Sequence, residues 1–573
     1  MRIVNVDISN FRGIKKGSFP FPKDERIVCI IGSGDSCKST LLKSIEWALW
    51  PSWNLVATDM DFYKGNTSEP IVIEVSVAEF IDALLNEEKY GLYLRDADAV
   101  ISKEQNDEPK EQGLPVLTVR LTIDSSLEPK WEIVTNRSEP KLINHRDRQL
   151  LLCSSIGFDY EKDFLWGRDS VLQKYTNSKD TLHNAYTQVM RNAIKDIKLG
   201  ELDTTASQLK DAGKQYGVSF TGEVHNKILM QNGSFSTMVG VFDGEVPFVQ
   251  RGLGSKRLLS MGMHINISDG ASVLLVDEIE TGLEPYRICA LINEFRRRHK
   301  NSGQIIMTTH SQNAITECSV NELHIISTQN GIVNLHGLVS GDAEVDVTTQ
   351  RIIRTEPAAF LCKRLIVCEG KTEVGLLRAL DKYMSESKGK RFAYFGVGVA
   401  LGGGGDKFFK MSYLLQKCGY EVSILMDSDI TKEEEEKENA RVKHGIPVFD
   451  WEEGNALEEQ LFSDSPIDII NKLLLIAIEN KTYAHVKTKL TGKIPDAFLV
   501  VTEDSIQINS DITDEMKKML GTIAKDKYSE WYKRIDLGEE IGDIILAQLD
   551  SFSPESRLIT VLSQIERWVT ADE

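Results

Sequence analysis

Arg26–Trp50 reads RIVCIIGSGDSCKSTLLKSIEWALW, and the order of its parts decides the fold of the first half of the chain. IVCII is a short apolar run suited to a buried strand, and it ends on Gly32. STLLKSIEWALW follows with its apolar residues at helical spacing. Strand, glycine-bearing turn and helix in that order put backbone N–H groups at a helix N-terminus, where an anion is favoured. Gly32, five intervening residues, then Lys38 and Ser39 follow the spacing GxxxxGK[ST], with Cys37 where the last glycine is expected. Gly32, Gly34, Asp35, Ser36, Cys37, Lys38, Ser39 and Thr40 are therefore the expected ATP-phosphate cradle. Lys38 would meet the β and γ phosphates and the Ser39 hydroxyl would ligate Mg²⁺.

Further along, SVLLVDEIETGLEP sets Asp277 and Glu278 at the tip of an apolar strand. Asp277 would hold the metal ion through water, and Glu278 would polarise the attacking water as a general base. QIIMTTHS is another buried strand, ending beside His310, which is placed to sense the γ-phosphate. Segments 272–276, 285–299 and 304–309 form a βαβ unit of a parallel sheet. Segments 71–80 and 116–124 read as further strands. Ahead of the acidic pair, RGLGSKRLLSM carries Gly252, Gly254 and Ser255 in a turn that opens a helix, able to offer N–H groups to a phosphate held by a partner subunit. Residues 155–215 turn polar and helical, as an inserted dimerisation arm or as a solvated helical pair.

A second α/β block opens at Arg364. RLIVCEG, RFAYFGVGVAL and EVSILMDSD read as strands, and TEVGLLRALDKYM and DKFFKMSYLLQKCGY as helices between them. Glu369 ends the first strand, Glu373 lies one helical turn further on, and Asp427 and Asp429 end the last strand two residues apart. Parallel sheets gather their sites at strand C-termini, so these carboxylates would converge. Unneutralised they would repel and raise one another's pKa. A pair of Mg²⁺ or Mn²⁺ ions roughly 4 Å apart would relieve that repulsion and clamp a phosphodiester. The charge run Lys432–Glu438 reads as an exposed helix or loop, and 465–573 as largely helical.

Composition bounds these readings. The 573 residues exceed one core and suit two large domains with insertions. No apolar run approaches the roughly 20 residues of a membrane span, and MRIVNVDISNFRG lacks the build of a signal peptide. Eight scattered cysteines without a CxxC pair suit a reducing cytosol and argue against a zinc ribbon. A net charge of −19 neither supports nor excludes DNA as a partner, because metal-holding acidic clusters add negative charge and basic residues can gather on one face.

The order P-loop, glycine–serine turn, Asp-Glu pair and strand-end His resembles the recombination and repair branch of the ABC ATPases, and ISNFRGIKK is similar to that branch's opening. The resemblance implies ATP sandwiched between two heads of a homodimer or higher oligomer. The turn departs from LSGGQ, and Asp61 to Tyr63 is the nearest region to a glutamine lid; both departures bear on hydrolysis rather than on binding. EGKTE, GVALGGGGDKFFK and DSD resemble a Toprim domain, and the second glutamate is similar to the OLD (overcoming lysogenization defect) nucleases. WEEGNALEEQLF resembles the OLD segment that adds a metal-binding glutamate, matched by Glu458 with Glu459 as rival, and a late lysine would be Lys527 or Lys533.

The expected fold class is thus α/β: an ABC-type P-loop ATPase domain over 1–355 with a helical insertion at about 155–215, then a Toprim nuclease domain with helical additions over 362–573. The expected function is an ATP-dependent or ATP-regulated, metal-dependent DNA endonuclease of the cytoplasm. Metal ligands would be Glu369, Glu373, Asp427, Asp429 and Glu458, with Glu369 and Asp427 catalytic. The resemblance further implies Gabija-like defence against phage or plasmids, with a partner protein encoded nearby. The rival is a nucleotide-gated sensor or scaffold with a silent Toprim domain. A chromosome-maintenance ATPase would need a far longer coiled-coil insertion.

Overall fold

The computed structural model describes residues 1–85, 89–157, 161–164, 241–243, 246–267, 272–429, 433–502, 505–509 and 512–571. The chain divides into two compact units, Met1–Ser155 with Ala271–Glu573, and Ile156–Gly270. The arm expected over 155–215 falls almost wholly outside the described residues.

Among the described residues the first unit holds two main sheets and a short hairpin. In the larger, strands Val273–Val276, Gln304–Thr308, Ile27–Ile31 and Leu323–Gln329 lie side by side and parallel. Their residues are mainly aliphatic and almost all buried, as a sheet covered on both faces requires. Through Ile332–Gly337 and Ile14–Pro20 the sheet turns antiparallel, continuing with Arg2–Phe11, Ile71–Ala78, Pro115–Ile123 and Pro129–Val134. The strands expected at 71–80 and 116–124 are among these. Helix Pro285–Arg298 connects the parallel strands Val273–Val276 and Gln304–Thr308, and helix Lys38–Ala48 follows strand Ile27–Ile31; each buries one apolar stripe. This is an ABC-type ATPase head.

The smaller sheet is all parallel, in the order Val397–Leu401, Arg364–Cys368, Glu421–Met426, Val448–Asp450. Two expectations shift here. The strand read over RFAYFGVGVAL shrinks to Val397–Leu401, because Phe392–Phe395 forms a tight turn whose entry is fixed by the Phe392 N–H donating to Asp381 Oδ1 at 2.6 Å. The charge run at 432–438 is helical over Glu434–Glu438, yet Lys437 is 1% exposed rather than solvated. Helix Lys371–Lys388 packs on helix Ile535–Leu546. A Cβ at Gly375 would stand 2.2 Å from the Ile535 carbonyl and one at Gly538 2.3 Å from that of Thr372, so paired glycines permit the backbone contact. The region beyond 465 is largely helical with one added hairpin, Leu499–Val501 with Ile506–Ile508.

In the second unit, helix Leu253–Ile267 places Gly254 and Ser255 in its first turn, with Gly252 just before it. Ser260 and His264 of this helix both meet Asp163. Among the described residues no helix is long and apolar enough to cross a membrane.

Candidate functional site

Two sites arise at the tips of the two parallel sheets. At the first, the loop Gly32–Cys37 leaves strand Ile27–Ile31 and enters helix Lys38–Ala48. Asp35 (φ 59°) and Cys37 (φ 70°) both adopt left-handed backbone, which curls successive N–H groups inward as an anion nest. Cys37 takes the glycine's conformation despite its side chain, at a cost of roughly 1 kcal/mol. Lys38 folds back over the loop, donating to the Gly32 and Ser33 carbonyls at 3.0 and 2.8 Å. Burial lowers its pKa, and Asp277 and Asp35 work against that drop.

Ser39 Oγ donates to Asp277 Oδ1 at 3.1 Å, so the two expected Mg²⁺ contacts are adjacent. Thr308, unremarked in the sequence, donates its hydroxyl to the same Asp277 oxygen at 2.6 Å and accepts the Glu278 N–H at 2.8 Å. Glu278 sits at φ 46°, a strained backbone held by that hydrogen bond. Glu280, also missed, accepts from the Thr309 hydroxyl at 2.6 Å and the His310 N–H at 2.7 Å, fixing the exposed His310. The signal for Glu280 was its alternation with Glu278 beyond the strand. The region nearest a lid, Asp61 to Tyr63, is occupied by structure instead: Asp61 is paired with Arg12, at 2.9 Å from both Nε and Nη2. Gly252, Gly254 and Ser255 belong to the other compact unit, described above by itself.

At the second site, Glu369 and Asp427 are brought together. The Asp427 N–H donates to Glu369 Oε2 at 3.0 Å, a direct result of the parallel pairing of Arg364–Cys368 with Glu421–Met426. A Cβ at Gly404 would lie 2.8 Å from Glu369 Oε1, so the glycine loop after Leu401 leaves room for this carboxylate. Asp427 Oδ1 accepts from Trp451 Nε1 at 3.1 Å and from the Leu457 N–H at 2.9 Å, which aims its carboxylate.

Electrostatics mark the same cluster. Burial, with Glu433 and Asp429 nearby, pushes Glu369 up to about 7. Burial and then the charges of Glu458 and Glu369 push Glu373 up to about 8. Asp427 is raised well above the usual carboxylate range by burial, then by Glu373, Glu458 and Glu369. Glu458 is raised by burial, with Lys533 and Lys525 opposing. Four acidic groups held toward their neutral forms, Glu369, Glu373, Asp427 and Glu458, need cations to be charged together.

Glu458 and Glu459 stand in different surroundings. Burial works to raise Glu459, but hydrogen bonds from Lys525 Nζ (2.6 Å), the Ala456 N–H (3.0 Å) and Thr522 Oγ1 (2.7 Å) hold it below its ordinary value. Its oxygens are thus shared between the helix start and Thr522 and Lys525 of helix Asp514–Lys525, whereas the charge of Glu458 acts on Glu373 and Asp427. Of the two expected late lysines, Lys533 acts on both Glu373 and Glu458, and Lys525, not anticipated, also acts on Glu458. Lys525 joins Glu459 to Asp429, at 2.6 and 3.5 Å, and Lys533 also pairs with Glu530 at 3.5 Å. Lys437, also missed, donates to Ser428 Oγ at 2.9 Å and Glu434 Oε1 at 2.8 Å, anchoring the turn between Asp427 and Asp429.

The donor set of hard carboxylate oxygens fits Mg²⁺ or Mn²⁺. As placed, among the described residues no three acidic, His or Cys side chains form a ready metal cage, so ligation calls for rotation of carboxylates whose backbones already converge.

Residues 168–316, which span the glycine–serine turn, Asp277, Glu278 and His310, match the family described as "AAA domain, putative AbiEii toxin, Type IV TA system". Residues 360–429, which span Glu369 to Asp429, match "Overcoming lysogenization defect protein-like, TOPRIM domain". Together they support an OLD-family ATPase–Toprim protein, and the pairing fits an ATP-linked nuclease. Among curated proteins none matches. Solved structures similar to the chain include an SMC head bound to the C-winged helix domain of ScpA (13% identity, TM-score 0.34, covering 58% of this chain and 97% of that one). The SMC head domain from Thermotoga maritima (12%, 0.29, 59% and 99%) is another. A third is the Smc head with an extended coiled coil bound to the C-terminal domain of ScpA, from Pyrococcus furiosus (12%, 0.33, 61% and 99%).

Proposed function

We propose that the chain is an ATP-regulated, metal-dependent DNA endonuclease, cutting at the strand tips that carry Glu369 and Asp427. The observation that carries this reading is the 3.0 Å hydrogen bond from the Asp427 N–H to Glu369 Oε2, which joins two strand ends under a cluster of buried, mutually repelling carboxylates. Glu369, Glu373, Asp427, Asp429 and Glu458 would hold Mg²⁺ or Mn²⁺, one ion or a pair, and the bound cation would stabilise charge developing on the scissile phosphate. Lys525 keeps Glu459 ionised and steadies Asp429, while Lys437 fixes the Asp-Ser-Asp turn. Trp451 and the Leu457 N–H orient Asp427.

At the other site the nest Gly32–Cys37 would bind the ATP phosphates, Ser39 and Asp277 would share Mg²⁺, and Glu278, held by Thr308, would orient water. Gly254 and Ser255 would meet the nucleotide of a second copy of the chain, making a homodimer the working form. A cytoplasmic role in defence against phage or plasmids, with a partner protein encoded nearby, belongs to the same reading. The test is plasmid nicking with Mg²⁺ or Mn²⁺, with and without ATP. Asp427→Ala should abolish nicking and leave ATP binding intact. Nicking at the parental rate by Asp427→Ala rejects this catalytic centre and favours a scaffold acting through a partner.

A further inference from the structure

In a chain of net charge −19, residues 481–495 (KTYAHVKTKLTGKIP) carry four lysines and a histidine and not one acidic residue. The segment forms helix Tyr483–Leu490 and the turn after it, and Lys487 and Lys493 are exposed. This patch lies directly beside the carboxylate site. Lys525, which touches Asp429 and Glu459, is followed by Asp526, and Asp526 Oδ1 accepts from Lys489 Nζ at 3.3 Å. Lys493 acts on the same Asp526 carboxylate. Lys527 is exposed next to it. Two of the acidic groups beside it are paired, Asp526 with Lys489 and Glu530 with Lys533.

Aromatic rings alternate with these cations. Tyr528 is 77% exposed, with Lys489 Nζ 5.6 Å from its ring centroid, and Lys487 Nζ lies 5.5 Å from that of Tyr483. A large exposed ring set among lysines serves as a platform for an unpaired base, with the lysines on the flanking phosphates.

We infer that helix Tyr483–Leu490 and the Lys525–Tyr528 turn form a binding surface for single-stranded DNA leading away from the carboxylate site, with Lys487, Lys489, Lys493 and Lys527 on the backbone and a base stacked on Tyr528. The inference rests on the nuclease reading for its purpose, and it names the substrate as a strand with unpaired bases beside the cut.

The experiment is fluorescence anisotropy of a labelled single-stranded oligonucleotide, and of its duplex, with the full-length chain in EDTA, so that no cleavage is required. The triple variant Lys487→Gln, Lys489→Gln, Lys493→Gln should bind the single strand at least roughly tenfold more weakly and lose about 2 from the slope of log affinity against log salt, at about 0.7 per phosphate contact. The triple arginine variant should bind as the parent does. Tyr528→Ala should weaken single-strand binding by roughly 5- to 150-fold and leave duplex binding unchanged. Parental affinity and salt slope in the glutamine variant would overturn the surface, and equal losses on single strand and duplex in Tyr528→Ala would overturn the stacked base. A parent that binds in this lysine-dependent way yet nicks nothing sinks the nuclease reading alone.

Discussion

Glu369→Gln tests the electrostatic logic of the carboxylate cluster without asking for catalysis. Glu369 has its pKa raised from 4.5 to about 7, chiefly by burial. A carboxyl whose folded-state pKa is raised contributes stability that is complete below the unfolded value and disappears as pH climbs through the folded one. At about 1.36 kcal/mol per unit, ionising Glu369 in the metal-free fold therefore removes about 3 kcal/mol between pH 4.5 and pH 8. Glutamine keeps an oxygen for the Asp427 N–H but never ionises, so the variant should escape this loss. At pH 8 without metal its melting transition should lie roughly 3 °C above that of the parent, and near pH 4.5 the two should coincide. Adding Mn²⁺ should raise the parent at pH 8 and move the variant little. Thermal unfolding across that pH range, with EDTA and with Mn²⁺, decides the matter. Parallel curves for parent and variant would refute the claim that Glu369 is held near other acids in a poorly solvated place.

Lys38→Ala should abolish ATP binding in a calorimetric titration, because the nest would lose its cation, and parental affinity would show that Gly32–Thr40 is no phosphate cradle. Cys37→Gly relieves left-handed backbone at φ 70° and should tighten ATP binding by up to roughly fivefold, read by the same titration. Lys525→Met strands Glu459, which is 4% exposed; the loss should be about 3 kcal/mol of stability, seen as a lower denaturation midpoint, together with loss of nicking. Lys437→Met removes a cation that lowers the Glu369 pKa, so the acid limb of the nicking pH profile should move to higher pH.

Much of both sites could be read from the sequence because each is built at a strand tip. IVCII, SVLLV, RLIVC and EVSILM are unbroken apolar runs, and their next residues must emerge at the sheet's C-terminal edge whatever the remaining topology. Glu369 and Asp427 meet for that reason alone. Residues placed by packing between distant helices left no such trace. Lys525 reaches Glu459 across 66 positions of sequence, through the packing of Asp514–Lys525 on Leu457–Asp464, and the pattern around Lys527 and Lys533 is no poorer in charge. Lys437 sat in a run of glutamates that reads as a solvated face, and only Ser428, Glu434 and Asp450 around it explain its burial. Thr308 looked like one more polar residue at a strand end, yet its one hydroxyl serves Asp277 and Glu278 together.

The same contrast explains why net charge was silent about DNA. Charge sums over the chain, whereas binding depends on where unpaired cations lie within about a Debye length of the phosphate. Here four acidic groups of the carboxylate cluster, Glu369, Glu373, Asp427 and Glu458, are pushed toward their neutral forms by burial, so they repel a backbone less than their number suggests. Of the lysines of 481–493, Lys487 and Lys493 are exposed, while half-buried Lys489 pairs with Asp526. A chain of net charge −19 can therefore present a locally positive approach to an acidic centre, provided that the acids stay uncharged until a metal ion joins them.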